Sequence, residues 1–175
     1  MLFQSERVLL RKMSFDMVDV FHAWRNDDDL MDAASPYIEL HALSETQDFL
    51  MNEMLSAKDA KNYLIIDKES GSPIGYTSLI NIDFKNRNAD FMIEIGEKSF
   101  WGKGYAAETL NMILNYAFLE MNLHRISLKV FSFNTRAINL YTSAGFKKEG
   151  VLREALYRNG QWHDIIQMGM LHAEY

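Results

Sequence analysis

Between residues 62 and 121 the hydrophobic pattern changes period, and the change falls on a pair of glycines. Tyr63 to Asp67, Pro73 to Ile82 and Ala89 to Ile95 read as three strands separated by Ser70-Gly71-Ser72 and Asn86-Arg87-Asn88. Connections this short make antiparallel neighbours. After Trp101-Gly102-Lys103-Gly104-Tyr105-Ala106-Ala107, the apolar residues Leu110, Ile113, Leu114, Ala117, Phe118 and Met121 recur at helical spacing and define the stripe of a long helix. An antiparallel run that enters a helix through a glycine loop points to an α+β fold.

The flanking segments extend that reading. Arg7 to Lys12 predicts a first strand, and Ser14 is positioned to cap a helix carrying Val18, Phe21 and Trp24. That helix is expected to end in the run Asp27-Asp28-Asp29, with a loop through Pro36 after it. Ser44-Glu45-Thr46-Gln47 has the form of a capping box and predicts a second helix over Phe49, Leu50, Met54 and Leu55. Downstream, His124 to Phe131 reads as a strand and Asn134 to Ala144 as a helix stopped by Gly145. Two last strands, about Phe146–Tyr157 and Trp162–Leu171, flank the hairpin signal Asn159-Gly160. The expectation is a mixed sheet of about seven strands with about four helices. Two prolines and no low-complexity tract leave no visible linker, so residues 1–175 are expected to form a single domain.

Composition narrows the chemistry. No cysteine is present, which removes disulfides, thiolate metal sites and a cysteine nucleophile together. The five histidines show no paired-ligand spacing, so no metal site is expected. The net charge of −6 argues against a nucleic-acid partner. No apolar run reaches the roughly 18 residues of a membrane span and no signal-peptide pattern opens the chain, so a cytoplasmic protein without a membrane partner is expected. Charge is unevenly spread, with nets of −8 over 1–100, +4 over 101–153 and −2 over 154–175. A positive segment in an acidic chain suits an anionic ligand, although an excess of solvated Lys and Arg would give the same count.

The glycine loop lies inside that positive segment. Two glycines allow close backbone approach, and the free N–H groups of a helix start suit a pyrophosphate. Gly102-x-Gly104-x-x-Ala107 also fits a dinucleotide fingerprint, which would make the chain a nicotinamide-cofactor oxidoreductase. That motif needs a parallel βαβ unit with an acidic residue about 20 positions on. The preceding strands are antiparallel here, and a P-loop pattern cannot be placed.

The sequence resembles the GCN5-related N-acetyltransferase (GNAT) family, in its ribosomal-protein and spermidine N-acetyltransferase branch. The family's acetyl-CoA loop, Gln/Arg-x-x-Gly-x-Gly/Ala, aligns with Trp101-Gly102-Lys103-Gly104-Tyr105-Ala106, with Trp101 replacing the usual first residue. Asn134-Thr135-Arg136-Ala137-Ile138-Asn139-Leu140-Tyr141-Thr142-Ser143-Ala144-Gly145-Phe146 is similar to the family's Asn-x-x-Ala-x-x-x-Tyr-x-x-x-Gly-Phe segment. The resemblance implies an acetyl-CoA-dependent transferase acting on a primary amine by direct attack. It also implies a strand that splays from its neighbour, so that the main chain around Ile93, Glu94 and Ile95 meets the cofactor's arm. Asn134 and Asn139 are implied cofactor contacts. Tyr141 is implied as the proton donor to the leaving sulfur.

Glu94, on the strand face opposite Ile93 and Ile95, is a candidate base or equally an exposed edge carboxylate. Glu108 is accounted for by the helix dipole. In the family the acceptor enters between the first two helices and the last hairpin. Asp27, Asp28, Asp29, Asp32 and Glu39 there would suit a cationic acceptor, a polyamine or a protein N-terminus, or would simply be a solvated helix end. Similar proteins are commonly dimers, so a homodimer is a candidate assembly. The competing reading is a CoA-binding sensor or scaffold without catalysis.

Overall fold

In the computed structural model, which describes residues 2–175, seven strands form one sheet in the order β1-β2-β3-β4-β5-β7-β6. These are β1 Val8–Lys12, β2 Lys61–Asp67, β3 Pro73–Asp83, β4 Asn88–Glu94, β5 Arg125–Phe131, β6 Lys147–Arg158 and β7 Gln161–Leu171. Every pairing is antiparallel except β4 with β5. The helices are α1 Val18–Arg25, α2 Asp28–Ala34, α3 Leu43–Phe49, α4 Tyr105–Asn115 and α5 Thr135–Ser143, with α3 and α4 each running on into a wider turn. Asn159 and Gly160 both hold positive φ, 52° and 77°, as a two-residue hairpin turn of this type requires.

Helices cover both faces of the sheet, and strand alternation divides the core between them. On β2, Leu64 and Ile66 face α1 and α3, where Phe21, Trp24 and Leu50 are buried, whereas Ile65 faces α4. The apolar stripe of α4 is realised as expected, with Leu110, Ile113, Leu114, Ala117 and Phe118 at or near complete burial. No helix among the described residues is long and apolar enough to cross a membrane.

Three local expectations are corrected. The acidic run starts a helix instead of ending one: Asp27 Oδ1 accepts from Asp29 N at 3.0 Å and Leu30 N at 3.2 Å, capping α2. Carboxylates at a helix start are favoured by its dipole, and Leu30 and Met31 bury the helix's inner face. The sheet is therefore flanked by five helices instead of about four. In α3 the reciprocal cap falls on Ala42, whose N–H donates to Glu45 Oε2 at 2.6 Å, so only the carboxylate half of a capping box exists and Ser44 is already inside the helix. Ser14 makes no capping bond to backbone; its hydroxyl donates to Asp16.

Candidate functional site

The parallel pairing of β4 and β5 stops early. Only Asn88, Ala89 and Asp90 pair across it, while both strands continue, so from Phe91 onward they diverge. A main-chain edge left unpaired inside a fold needs other partners. The wedge between them opens into a cavity of about 240 Å³. Ile93 and Glu94 of β4 and Ile95 just after it line the cavity, with Tyr141 of α5 and its cap Asn134, and Leu30, Ala33 and Ala34 from α2.

The glycine loop closes one end. Gly102 and Gly104 hold φ of 71° and 87°, values that favour glycine, and a Cβ on Gly102 would meet nothing within 4 Å. The first N–H groups of a helix lack intrahelical acceptors. In α4, Glu108 N finds Gly104 O at 3.1 Å, and the amides of Tyr105 and Ala106 begin the helix beside the cavity. Arg7, unnoticed in the sequence, fastens this loop: its guanidinium reaches Lys103 O at 2.9 Å and Glu108 Oε2 at 2.8 Å, and lies 4.6 Å from the Tyr105 ring centre. Glu108 is thus an ion-pair partner as well as a first-turn acid.

Trp101 has two tasks. Its Nε1 donates to Ile95 O at 2.7 Å, tying the loop to the end of β4. Its ring supports the Arg136 guanidinium at 3.9 Å, and Arg136 also lines the cavity. A cation contributed by α5 thereby stands beside the loop position where the family pattern has Gln or Arg. The signal was available in the sequence, since Arg136 lies two residues after Asn134, but its pairing with Trp101 is tertiary.

Among the predicted contacts, Lys103 and Asn139 do not line the cavity; the Lys103 side chain points over Phe100, and Asn139 is exposed on α5. Tyr105 lines it with its ring, while its hydroxyl donates to the buried Asp67 at 3.0 Å. Asn134 both caps α5, accepting from Ala137 N at 3.1 Å, and donates to Ala33 O at 3.1 Å, which fastens α5 to α2.

Tyr141 is 7% exposed, its ring set edge-on to Phe91 and Phe146. Burial pushes its pKa up to about 12, so the hydroxyl keeps its proton at neutral pH. Glu94 is half-buried, and its carboxylate makes no hydrogen bond or ion pair among the described residues. Burial, and secondarily the charge of Asp27, raises its pKa to about 7. A carboxyl that titrates at neutrality is suited to taking up a proton there.

Glu94 also lines a second cavity, of about 300 Å³, on the other side of β4. Its walls are Phe21, Trp24 and Arg25 of α1, the 34–41 segment, Phe49 of α3, and Tyr76 and Met92 on β3 and β4. Leu30 and Ala34 border both cavities, so the two spaces meet at Glu94 and α2. Of the five acids expected there, only Glu39 lines it. Asp27 and Asp29 hold Lys98 at 2.8 and 2.7 Å, and Asp32 holds the buried Arg158 at 3.2 Å. Asp28 is exposed on α2. No cluster of metal-ligating side chains occurs among the described residues.

Residues 7–147 match the family model described as an acetyltransferase (GNAT) domain. Across 175 residues, covering 98% of this chain and 96% of the relative, the chain is 31% identical to N-acetyltransferase p20 of Bacillus licheniformis. It is 30% identical over 173 residues to the spermidine N(1)-acetyltransferase of Vibrio cholerae, covering 98% and 96% of the two chains. The crystal structure of the Vibrio cholerae spermidine N-acetyltransferase in complex with CoA and spermine superimposes with a TM-score of 0.88 at 28% identity, over 98% of this chain and 99% of that one. An early-splitting parallel pair, a glycine loop at a helix start and a buried tyrosine facing the gap thus occur in a chain with this likeness along nearly its whole length. The chain belongs to the GNAT family and is an N-acetyltransferase that draws its acetyl group from acetyl-CoA.

Proposed function

We propose that acetyl transfer takes place at the meeting point of the two cavities, with acetyl-CoA in the β4–β5 wedge and the acceptor amine in the second cavity. The observation that carries this reading is the position of Glu94, whose unpaired carboxylate borders both spaces.

Acetyl-CoA supplies the thioester. The residues that fit its anionic portion are Gly102, Gly104, Tyr105 and Ala106, through main chain at the start of α4, with Arg136 beside them. The free edge of β4 at Ile93 and Ile95 faces the arm, and Asn134 stands at the opposite wall. Lys103 and Asn139 serve the loop and helix without lining that space.

Glu94 takes the proton from the amine, directly or through one water, as the amine nitrogen bonds to the acetyl carbon and the C–S bond breaks. Tyr141 gives its phenolic proton to the departing sulfur, whose basicity would otherwise oppose release. Exchange with solvent then returns a proton to Tyr141 and removes one from Glu94, restoring both groups. Attack is direct in this reading, the simplest mechanism once an acetyl-cysteine intermediate is excluded by the lack of cysteine.

Residues 1–175 act as one catalytic domain in this reading, supported by relatives that align along 98% of the chain and by β7, which pairs with β5 and completes the sheet. Self-association is part of the proposal, supported by the dodecameric structure described for the Vibrio cholerae enzyme.

Thiol release from acetyl-CoA, measured across amines between pH 5.5 and pH 9, tests the assignment. The expected kcat/KM rises through an inflection near the Glu94 pKa of about 7 and loses it in Glu94→Gln. An inflection that persists in the variant refutes the assignment of Glu94.

A further inference from the structure

The second cavity has the capacity of a small-molecule site and apolar walls from Phe21, Trp24, Leu30, Met31, Phe49 and Met92. Its principal cation is Arg25, half-buried on the last turn of α1. The guanidinium lies 4.4 Å from the Phe49 ring centre, donates to Thr46 Oγ1 at 3.4 Å, and stands 3.3 and 3.4 Å from the ring nitrogens of His41. These are neutral or aromatic neighbours, and no carboxylate of a described residue lies within 4.0 Å of it. Glu45, whose charge acts on it from a distance, accepts instead from Ala42 N. Tyr76 lines the same cavity, and Glu39 is exposed at the rim.

A partly buried guanidinium that no carboxylate answers is a prepared anion site, since charge-assisted hydrogen bonds to carboxylates are the strongest it can make. Its stacked, hydrogen-bonded setting fixes the group before a ligand arrives. An acceptor with several cationic centres would instead bring like charge against Arg25; of the two carboxylates that line the cavity among the described residues, Glu94 faces the reacting amine and Glu39 alone is left to offset the rest.

We propose that the acceptor is a small amine that carries a carboxylate, of the class of apolar α-amino acids. Arg25 holds the carboxylate, the aromatic and methionine walls take the side chain, and the amine lies toward Glu94. This inference rests on the assignment of Glu94 as the base. The reaction is the one already described, with the C–N bond formed, the C–S bond broken and the amine proton passed to Glu94; the carboxylate binds and does not react.

The test uses the full chain with acetyl-CoA and compares phenylalanine and methionine with their amides, with 2-phenylethylamine and with spermidine. The expected kcat/KM for the amino acids exceeds that for the amides by about tenfold or more. Arg25→Met is expected to bring the two together by raising KM for the amino acid, and Arg25→Lys to recover part of the difference. The wild-type comparison decides the matter even where Arg25→Met folds poorly. Equal or better turnover of the amides, of 2-phenylethylamine or of spermidine overturns the acceptor class. If that turnover still shows the inflection near pH 7 that Glu94→Gln removes, the base assignment survives. Turnover of no amine at all overturns both.

Discussion

The two cavities that meet at Glu94 are put together in different ways. The walls of the first come largely from two continuous stretches, 93–107 and 134–141, each a strand end or helix start with its own local code. The second is assembled from α1, α2, the 34–41 segment, α3 and the ends of β3 and β4, no one of which carries a motif. A ligand gripped by main chain, such as a pyrophosphate, constrains glycine and helix-start positions that can be recognised in sequence. A pocket that selects an acceptor through side chains on separate elements leaves no such local trace, and it can change without disturbing the first.

Substitutions at the junction should separate the two most sharply. Glu94→Gln is expected to lower kcat by about 10²- to 10³-fold, the span of a lost general base, with acetyl-CoA affinity within about twofold. Rapid-mix kinetics and calorimetry read these two quantities, and unchanged kcat would break the picture of a shared base. The same variant carries a stability signature. With its folded pKa raised to about 7, Glu94 favours the fold while protonated, and that contribution is lost as pH rises from its unfolded value of 4.5 through about 7. Glu94→Gln should therefore gain stability relative to wild type at pH 8 but not at pH 4, by on the order of 1–2 kcal/mol once exposure to the cavities is discounted. Thermal melting at both pH values checks it.

Tyr141→Phe is expected to reduce kcat by about 10- to 100-fold while leaving the dissociation constant of acetyl-CoA nearly unchanged, because the hydroxyl makes no hydrogen bond among the described residues. A variant with normal turnover would take Tyr141 out of the chemistry. Gly104→Val addresses the first cavity alone. A β-branched residue at φ of 87° is strained, and its Cβ would press on Arg7 at 3.2 Å, so acetyl-CoA affinity should fall by about tenfold in direct binding measurements.

Gly96→Ala addresses the second. A Cβ there would sit 2.3 Å from the Trp24 ring, which is itself fixed by its Nε1 bond to Glu97 at 2.9 Å. Displacing Trp24 should destabilise the fold by about 1–3 kcal/mol and raise KM for the acceptor more than for acetyl-CoA. Equal effects on both substrates would show that the two walls are mechanically one. The smallest effect is expected for Arg136→Met, a roughly two- to fivefold rise in KM for acetyl-CoA that shrinks as salt is added, since the cation is exposed.

The element order and sheet composition were readable because each strand and helix announces itself by period and punctuation. What failed were places where a side chain had to choose a partner. Asp27-Asp28-Asp29 has the composition of a helix terminus of either kind, and only the bonds from Asp29 N and Leu30 N to Asp27 show which end it is. Missing α2 also meant missing the wall shared by both cavities. Among the site residues, Glu94 was named but its burial was not decidable from alternation: its neighbours Ile93 and Ile95 line the same wedge, and what lies across β4 depends on α1 and α2. Lys103 and Asn139 sit inside motifs yet do not line the wedge, since a motif fixes backbone more tightly than the direction of every side chain within it.

By itself the sequence determined the α+β architecture, the glycine loop before a helix, the Asn134-to-Phe146 segment and the absence of thiol chemistry. These follow from periodicity, from φ values that favour glycine and from composition, all of which are local. The tertiary structure decided the divergence of β4 from β5, the isolation of the Glu94 carboxylate, the transfer of a loop cation to Arg136 and the exposure of Arg25 to an acceptor cavity. Each of these depends on how far a charge or an unpaired edge stands from groups distant in the chain, and Coulomb and desolvation energies are set by that distance and burial, not by residue type.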